Sequence, residues 1–105
     1  MSAGIAPVFA ALGDETRLEL VSRLCKGGPL SITRLTDGAD VSRQAITKHL
    51  HALAEAGLVS SSRQGRETIW ELETKRLAIA KRYLDRVSTR WDDAIERLRA
   101  FVESE

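Results

Sequence analysis

The side chains of this sequence best suited to chemical recognition are concentrated in one predicted helix. Arg43, Thr47 and His51 recur at intervals of four, so a helix places them on one face, with Gln44 and Lys48 beside them. A guanidinium group can donate two hydrogen bonds to one base, an amide group can donate one and accept one, and ammonium and hydroxyl groups can bind phosphate. No acidic residue lies among these five positions. The pattern predicts a helix that binds nucleic acid.

The elements around this helix must turn its polar face outward. Ser42 is a suitable N-cap, and Gly57 follows Ala56 where the helix should end. Ile46, Leu50 and Leu53 form an apolar stripe at spacings of four and three, which we expect to be buried. The N-terminal end of such a helix enters a DNA groove deepest and directs backbone N–H groups at phosphate.

A second basic group lies at the tip of a predicted β-hairpin. Residues 59–63 and 66–72 predict two strands around Gln64 and Gly65, where the glycine supplies the positive φ of a tight turn. Arg63 and Arg66 flank that turn, and such arginines can follow a phosphate backbone or enter a minor groove. Residues 41–66 hold four basic residues against Glu55, a local net charge of +3 in a chain of +1. Solvated surfaces also carry such charges, so the combination of helix and hairpin carries the prediction of DNA binding.

Three further helices are predicted before this unit. The first carries an apolar stripe at positions 5, 8, 9 and 12, and the second begins at the cap Asp14. Its expected buried stripe consists of Leu18, Val21, Leu24 and Cys25. A short third helix begins at Ser31 and buries Ile32 and Leu35.

One long helix is predicted from Thr74 onward, because the sequence contains no Gly or Pro beyond that point. Its apolar residues follow alternating spacings of three and four, as in a coiled coil: Leu77, Ala80, Leu84, Val87, Trp91, Ala94, Leu98 and Phe101. About 30 residues of helix extend roughly 45 Å, longer than one face of a domain this small. We therefore expect its second half to pack against a second copy of the chain, although covering its own core remains an alternative.

Length and composition narrow the class of protein. The 105 residues are 43% hydrophobic and 30% charged, which is typical of one soluble globular domain. Cys25 is the only cysteine, so no internal disulfide forms, and no secretion signal or membrane-length apolar segment is present. These features predict a cytoplasmic protein without a membrane partner. His49 and His51 point apart on a helix and have no evident catalytic partners, so we predict neither an enzyme nor a metal or other cofactor.

Three segments together resemble the ArsR/SmtB family of bacterial winged-helix repressors: FAALGDETRL at 9–18, VSRQAITKHL at 41–50 and LAEAGLV at 53–59. The resemblance implies a mainly α fold with a small β-hairpin, in the order α-α-α-α-β-β-α, as a winged helix-turn-helix. It implies a homodimer joined through the first and last helices, here residues 1–12 and 74–105. Residues 31–56 then form the helix-turn-helix and residues 58–72 the wing.

The resemblance also carries site residues over. The implied DNA contacts are Ser31, Thr33, Ser42, Arg43, Gln44, Thr47, Lys48, His51, Arg63, Gln64 and Arg66. The expected dimer contacts are Ile5, Val8, Phe9, Leu84, Val87, Trp91, Ala94, Leu98 and Phe101.

The sequence departs from the metal-sensing members of that family. Those members carry Cys-x-Cys in the third helix, where this chain has Ser31-Ile32-Thr33-Arg34, and others place His on the last helix, where it has none. The sequence therefore predicts a dimeric repressor that binds an inverted repeat in double-stranded DNA, with no identified effector. Two alternatives stay open: a metal sensor with a non-standard site built from Cys25, the two His and the cluster Asp92, Asp93 and Glu96, and a winged-helix module that binds protein.

Overall fold

The predicted order of elements is confirmed, with one short strand added to it. The computed structural model describes residues 5–104, in which there are five helices and three strands. Their bounds are α1 Ile5–Leu12, α2 Glu15–Gly27, β1 Leu30–Ser31, α3 Ile32–Thr36, α4 Arg43–Glu55, β2 Val59–Gln64, β3 Glu67–Leu72 and α5 Thr74–Glu103. Residues 1–4 of the expected first dimerisation segment, and residue 105 of the last, lie outside the described residues.

Side-chain caps begin three of the helices, as their sequences predict. Asp14, Ser31 and Ser42 each accept a hydrogen bond at 3.1 Å from the backbone N–H three residues ahead. Each cap therefore satisfies one of the donors that the first turn of a helix leaves free. Local sequence thus fixes where α2, α3 and α4 start.

The end of α4 turns the chain directly into the sheet. Leu58 N–H donates to the Leu53 carbonyl at 3.0 Å, and Gly57 N–H donates to the Ala54 carbonyl at 2.9 Å. This pair of bonds requires a left-handed residue after the helix, and Gly57 has φ +79°. The helix and the strand that follows it are therefore held at a fixed angle.

The sheet is antiparallel in the order β1-β3-β2. Gln64 pairs with Glu67, so the tight turn consists of Gly65 and Arg66. The predicted turn was one residue too early: Gln64 belongs to β2, and Arg66 belongs to the turn. The reason is that this loop needs a positive φ at its first central position, which Gly65 occupies with φ +64°.

The added strand β1 ties α3 to the hairpin. Leu30 pairs with Trp70 and Ser31 with Ile69. Two residues are too few to give a periodic pattern, so the sequence did not predict this strand. Through it, the start of α3 lies beside the middle of β3.

The core lies between the inner faces of α1 to α4 and the sheet. The predicted stripe of Ile46, Leu50 and Leu53 is confirmed, since each side chain is at most 2% exposed. The stripe predicted for α2 is partly wrong: Leu20 and Leu24 are buried, whereas Leu18 and Cys25 are exposed. The two exposed residues share the far edge of α2, away from its contacts with α1 and α4.

Helix α5 packs on the body only near its beginning. Ala80 is its one buried residue, and Tyr83 contacts Phe9 of α1 with ring centroids 5.8 Å apart. The radius of gyration is 18.4 Å, compared with about 13 Å for a compact chain of this length. The excess arises because the second half of α5 extends beyond the body. None of the helices within residues 5–104 combines the length and apolar composition needed to span a bilayer.

Candidate nucleic-acid interface

The outer face of α4 presents a dense group of hydrogen-bond donors to solvent. Arg43, Gln44, Lys48 and His51 are exposed, and Thr47 is half-buried between them. Arg43, Gln44, Thr47 and Lys48 line one shallow depression of about 460 Å³. The structure thus brings together the five side chains that the sequence placed on one face.

Three side chains of this face form no hydrogen bond or ion pair within the described part of the chain. The Thr47 hydroxyl donates to the Arg43 carbonyl at 2.9 Å. By contrast, the side chains of Arg43, Gln44 and Lys48 have no hydrogen-bond or ion-pair partner among residues 5–104. Their donors face only water, so they can bind a ligand without breaking an internal contact.

His51 connects the helix face to the hairpin. Its ring lies edge-on to Trp70 of β3, with centroids 5.6 Å apart and planes 85° apart. Trp70 is only 4% exposed, so its position is fixed by the core. This contact holds the last turn of the polar face against the base of the β2–β3 hairpin.

The tip of the hairpin adds positive charge. Arg63, Gln64 and Arg66 are all exposed there. Glu67, the residue after the turn, is the nearest acidic residue along the hairpin. The helix face and the hairpin tip are therefore two cationic surfaces, carried by elements that the His51–Trp70 contact joins.

The two α3 residues expected at this surface already have internal partners. The Ser31 hydroxyl oxygen caps α3 by accepting from Arg34 N–H, and the side chain is half-buried. The Thr33 hydroxyl donates to Glu67 Oε1 at 3.3 Å. The cap at Ser31 is the one that the sequence predicts, whereas the link from Thr33 to β3 is one that the sequence pattern did not indicate.

Sequence reasoning missed a polar cluster on the inner side of α4. His49 Nδ1 lies 3.3 Å from Arg17 Nη1 and 3.8 Å from Asp14 Oδ2. The hydrogen bond from Arg17 N–H lowers the pKa of Asp14 below 3.8, and the nearby Arg17 charge acts in the same direction. Local patterns predict a half-buried position for His49, but its partners are 32 and 35 residues away in sequence, beyond the reach of periodicity.

The apolar residues expected at a dimer interface fall into two groups. Leu84, Trp91, Leu98 and Phe101 are exposed, between 52% and 65%, whereas Ile5, Phe9, Val87 and Ala94 are half-buried. Val8 is fully buried, because it points into the core between α1 and its neighbours, and so has no surface for a partner. Ile95 and Val102, which lie outside the predicted heptad positions, are exposed beside this stripe and widen it.

The residues suggested for a non-standard metal site are not brought together. Between residues 5 and 104, no three His, Cys, Asp or Glu side chains converge on a point that could hold an ion. Cys25 is exposed on α2, and Glu96 forms an ion pair with Arg99 on α5.

The known proteins that this chain resembles are helix-turn-helix transcriptional regulators. A family profile described as a helix-turn-helix domain matches residues 12–61. An HTH-type transcriptional regulator of Mycobacterium tuberculosis is 35% identical over 97 residues, covering 92% of this chain and 87% of that protein. The arsenical resistance operon repressor of Escherichia coli is 32% identical over 97 residues, covering 92% and 80%.

A solved structure gives the same result for the fold. The ArsR-like transcriptional regulator from Rhodococcus sp. RHA1 is 39% identical and superimposes with a TM-score of 0.77, covering 95% of this chain and 93% of that one. The mainly α architecture with a small β-hairpin is therefore a winged helix-turn-helix.

Proposed function

This chain belongs to the ArsR family of winged helix-turn-helix regulators and is a DNA-binding transcriptional repressor, and from that premise we propose how it binds its operator. Two copies bind one inverted repeat in double-stranded DNA, and each inserts α4 into the major groove. The hairpin of β2 and β3 acts as the wing. The observation that carries this proposal is the outer face of α4, whose Arg43, Gln44 and Lys48 side chains are exposed and uncommitted.

The chemistry of each side chain suggests its role. Arg43 and Gln44, in the first turn of α4, are placed to read base edges, since guanidinium can pair with guanine and amide with adenine. Lys48 and Thr47 bind phosphate or base edges one turn later, and His51 lies at the junction with the wing.

The wing and the start of α3 provide the remaining contacts in this proposal. Arg63, Gln64 and Arg66 follow the backbone or enter the adjoining minor groove. Ser31 and Thr33 lie at the edge of the contact surface, where their hydroxyls have internal partners.

The proposed dimer joins α1 and α5 of each copy to the same helices of the other. The exposed residues of α5, Leu84, Trp91, Leu98 and Phe101, supply its apolar surface, and Ile5, Phe9, Val87 and Ala94 support them. Val8 is left out because it is buried within the subunit. A two-fold axis between the copies places the two α4 helices about one DNA turn apart, which is the reason for expecting an inverted repeat.

The proposal includes no metal effector and no catalysis. Two relatives are named as arsenical resistance repressors, but soft metal and metalloid ions bind groups of thiolates, and this sequence has one cysteine. The action is proposed to take place in the cytoplasm, where the DNA of a bacterium lies.

Selection of bound fragments from random and genomic DNA tests the proposal. We expect an imperfect inverted repeat with half-sites one helical turn apart. Measuring the affinity for the selected duplex at several salt concentrations then gives the electrostatic part of the binding free energy. If all four basic residues of residues 41–66 contact phosphate, eight per dimer, the logarithm of the affinity falls with the logarithm of the salt concentration with a slope of up to about −7. Recovery of no common motif, or an affinity that does not change with salt, contradicts the proposal.

A further inference from the structure

His49 is the only ionisable side chain of α4 that is half-buried rather than exposed. It lies on the inner flank of the helix, whereas Arg43, Lys48 and His51 point to solvent. Its ring contacts the start of α2 rather than solvent alone.

Arg17 is the main partner of His49 and reaches two other elements as well. Its Nη1 lies 3.3 Å from His49 Nδ1, and its Nε donates to the carbonyl of Ala11 in the last turn of α1. One guanidinium group therefore connects the end of α1, the first turn of α2 and the inner flank of α4. The planar fork of arginine suits this bridging because its donors are held in fixed directions.

Asp14 holds the other side of the cluster. Its carboxylate accepts from Arg17 N–H at 3.1 Å, which fixes the start of α2, and lies 3.8 Å from His49 Nδ1. The same hydrogen bond lowers its pKa, so the group stays ionised throughout the neutral range. The charged groups that the structure places against the His49 ring are thus one cation and one anion, both from the start of α2.

We infer that Arg17 is a positioning residue for operator recognition: through His49 it sets the orientation of α4 relative to α1 and α2. This inference rests on the assignment of α4 as the helix that reads DNA. It adds a residue that lies away from the DNA face and that the sequence pattern did not connect with recognition. Base-edge contacts depend on small differences in orientation, so specific binding is more sensitive to this contact than phosphate binding.

The contact between Arg17 and His49 needs an acceptor on the His49 ring. The Arg17 Nη1 group is a donor, so Nδ1 accepts from it only while that nitrogen carries no proton. A side chain without an acceptor at this position therefore loses the contact, and an oxygen acceptor placed there keeps it.

The test uses a selected operator duplex, a random duplex of the same length, and four variants. Arg17→Met removes the guanidinium and keeps the length of the stem. His49→Leu removes the ring acceptor, and His49→Asn restores an oxygen acceptor near the position of Nδ1. The fourth variant combines Arg17→Met with His49→Leu. Circular dichroism and thermal melting establish that each variant is folded.

We expect Arg17→Met and His49→Leu each to weaken operator binding about tenfold, and the double variant to bind no more weakly than either single variant. His49→Asn should stay within about threefold of the parent, because it keeps the acceptor for Arg17. Random DNA should be bound about equally by all variants, since its phosphate contacts are unchanged.

Three results overturn the inference: losses that multiply in the double variant, equal losses on operator and random DNA, or equal behaviour of His49→Leu and His49→Asn. If Arg17→Met does not fold, the comparison of His49→Leu with His49→Asn still tests the inference. Arg43→Ala separates this inference from the proposed function. If that variant binds the operator like the parent, the assignment of α4 is wrong, whatever the Arg17 and His49 variants do.

Discussion

Two exposed surfaces of this protein differ in their chemistry, since one is polar and the other is apolar. The outer face of α4 is polar, and the stripe behind it, Ile46, Leu50 and Leu53, is fully packed. The second half of α5 is almost entirely exposed, with Trp91 at 65% and Leu98 at 63% open to solvent. Water satisfies the first surface, whereas each Å² of apolar area on the second costs about 25 cal/mol. The helix face is available to a ligand, while the α5 stripe is the apolar surface that we propose binds a second copy of the chain.

A charge placed on the α5 stripe tests most directly whether this apolar surface is a dimer interface. Leu98→Glu should prevent the chain from dimerising, because the carboxylate would be buried between the two helices. Without the second half-site, operator affinity should then fall at least about a hundredfold. Analytical ultracentrifugation and operator titration measure the two effects. The control Thr89→Glu adds the same charge on the opposite side of α5 and should leave the oligomeric state and the operator affinity unchanged. A Leu98→Glu variant that is still dimeric would contradict the α5 interface.

Removing one side chain from the α4 face tests the other half of the comparison. Arg43→Ala should cost about 1–3 kcal/mol in operator binding, because the guanidinium can no longer form its two hydrogen bonds with a base. Binding to random DNA should fall much less, since that binding depends on phosphate contacts. Electrophoretic titration of both duplexes gives the ratio. Equal losses on the two would mean that Arg43 binds phosphate rather than a base.

The wing should behave differently from the helix. Arg66→Ala should weaken operator and random DNA by similar factors of a few-fold, and it should reduce the magnitude of the salt slope by about one for each phosphate that is no longer neutralised. The matched variant is Arg90→Ala on α5, an exposed arginine that belongs to neither cationic surface and should change neither affinity nor slope. A loss confined to the operator would assign Arg66 to base recognition instead.

The smallest expected effect concerns the cluster beneath α4. The folded-state pKa of Asp14 is lower than 3.8, so its ionised form stabilises the fold above about pH 5, and that stability disappears as the pH falls through the folded pKa. Asp14→Asn keeps a capping oxygen but cannot ionise. The difference in melting temperature between the parent and this variant should therefore shrink as the pH falls from 6 to 3. A difference that stays constant with pH would show that the charge of Asp14 contributes nothing.

Sequence predicted those features that depend on neighbours along the chain. The caps Asp14, Ser31 and Ser42 and the inner stripe of α4 depend on residues within one or two helical turns, and all of them were found. The outward direction of the α4 face follows from that stripe, so its side chains were predicted as a group. The position of each turn residue in the wing was wrong by one, because turn geometry decides it.

The remaining features depend on distant residues. Which side of α2 is buried depends on where α1 and α4 pack, so Leu18 and Cys25 were misplaced. The contact between Arg17 and His49 joins residues 32 apart, and Thr33 meets Glu67 across 34 residues. No local pattern contains such pairs. Such pairs depend on how the elements pack against one another, whereas the local sequence decides only which side of α4 is polar.

The positions of the two tryptophans have a practical consequence. Trp70 is buried under His51 at the base of the wing, and Trp91 is exposed on the α5 stripe. Intrinsic fluorescence therefore contains two separable signals: subunit association should shift the emission of Trp91 to shorter wavelength, and DNA binding should alter quenching of Trp70. Replacing Trp91 by Phe isolates the second signal, so assembly and operator binding can be followed in one unlabelled sample.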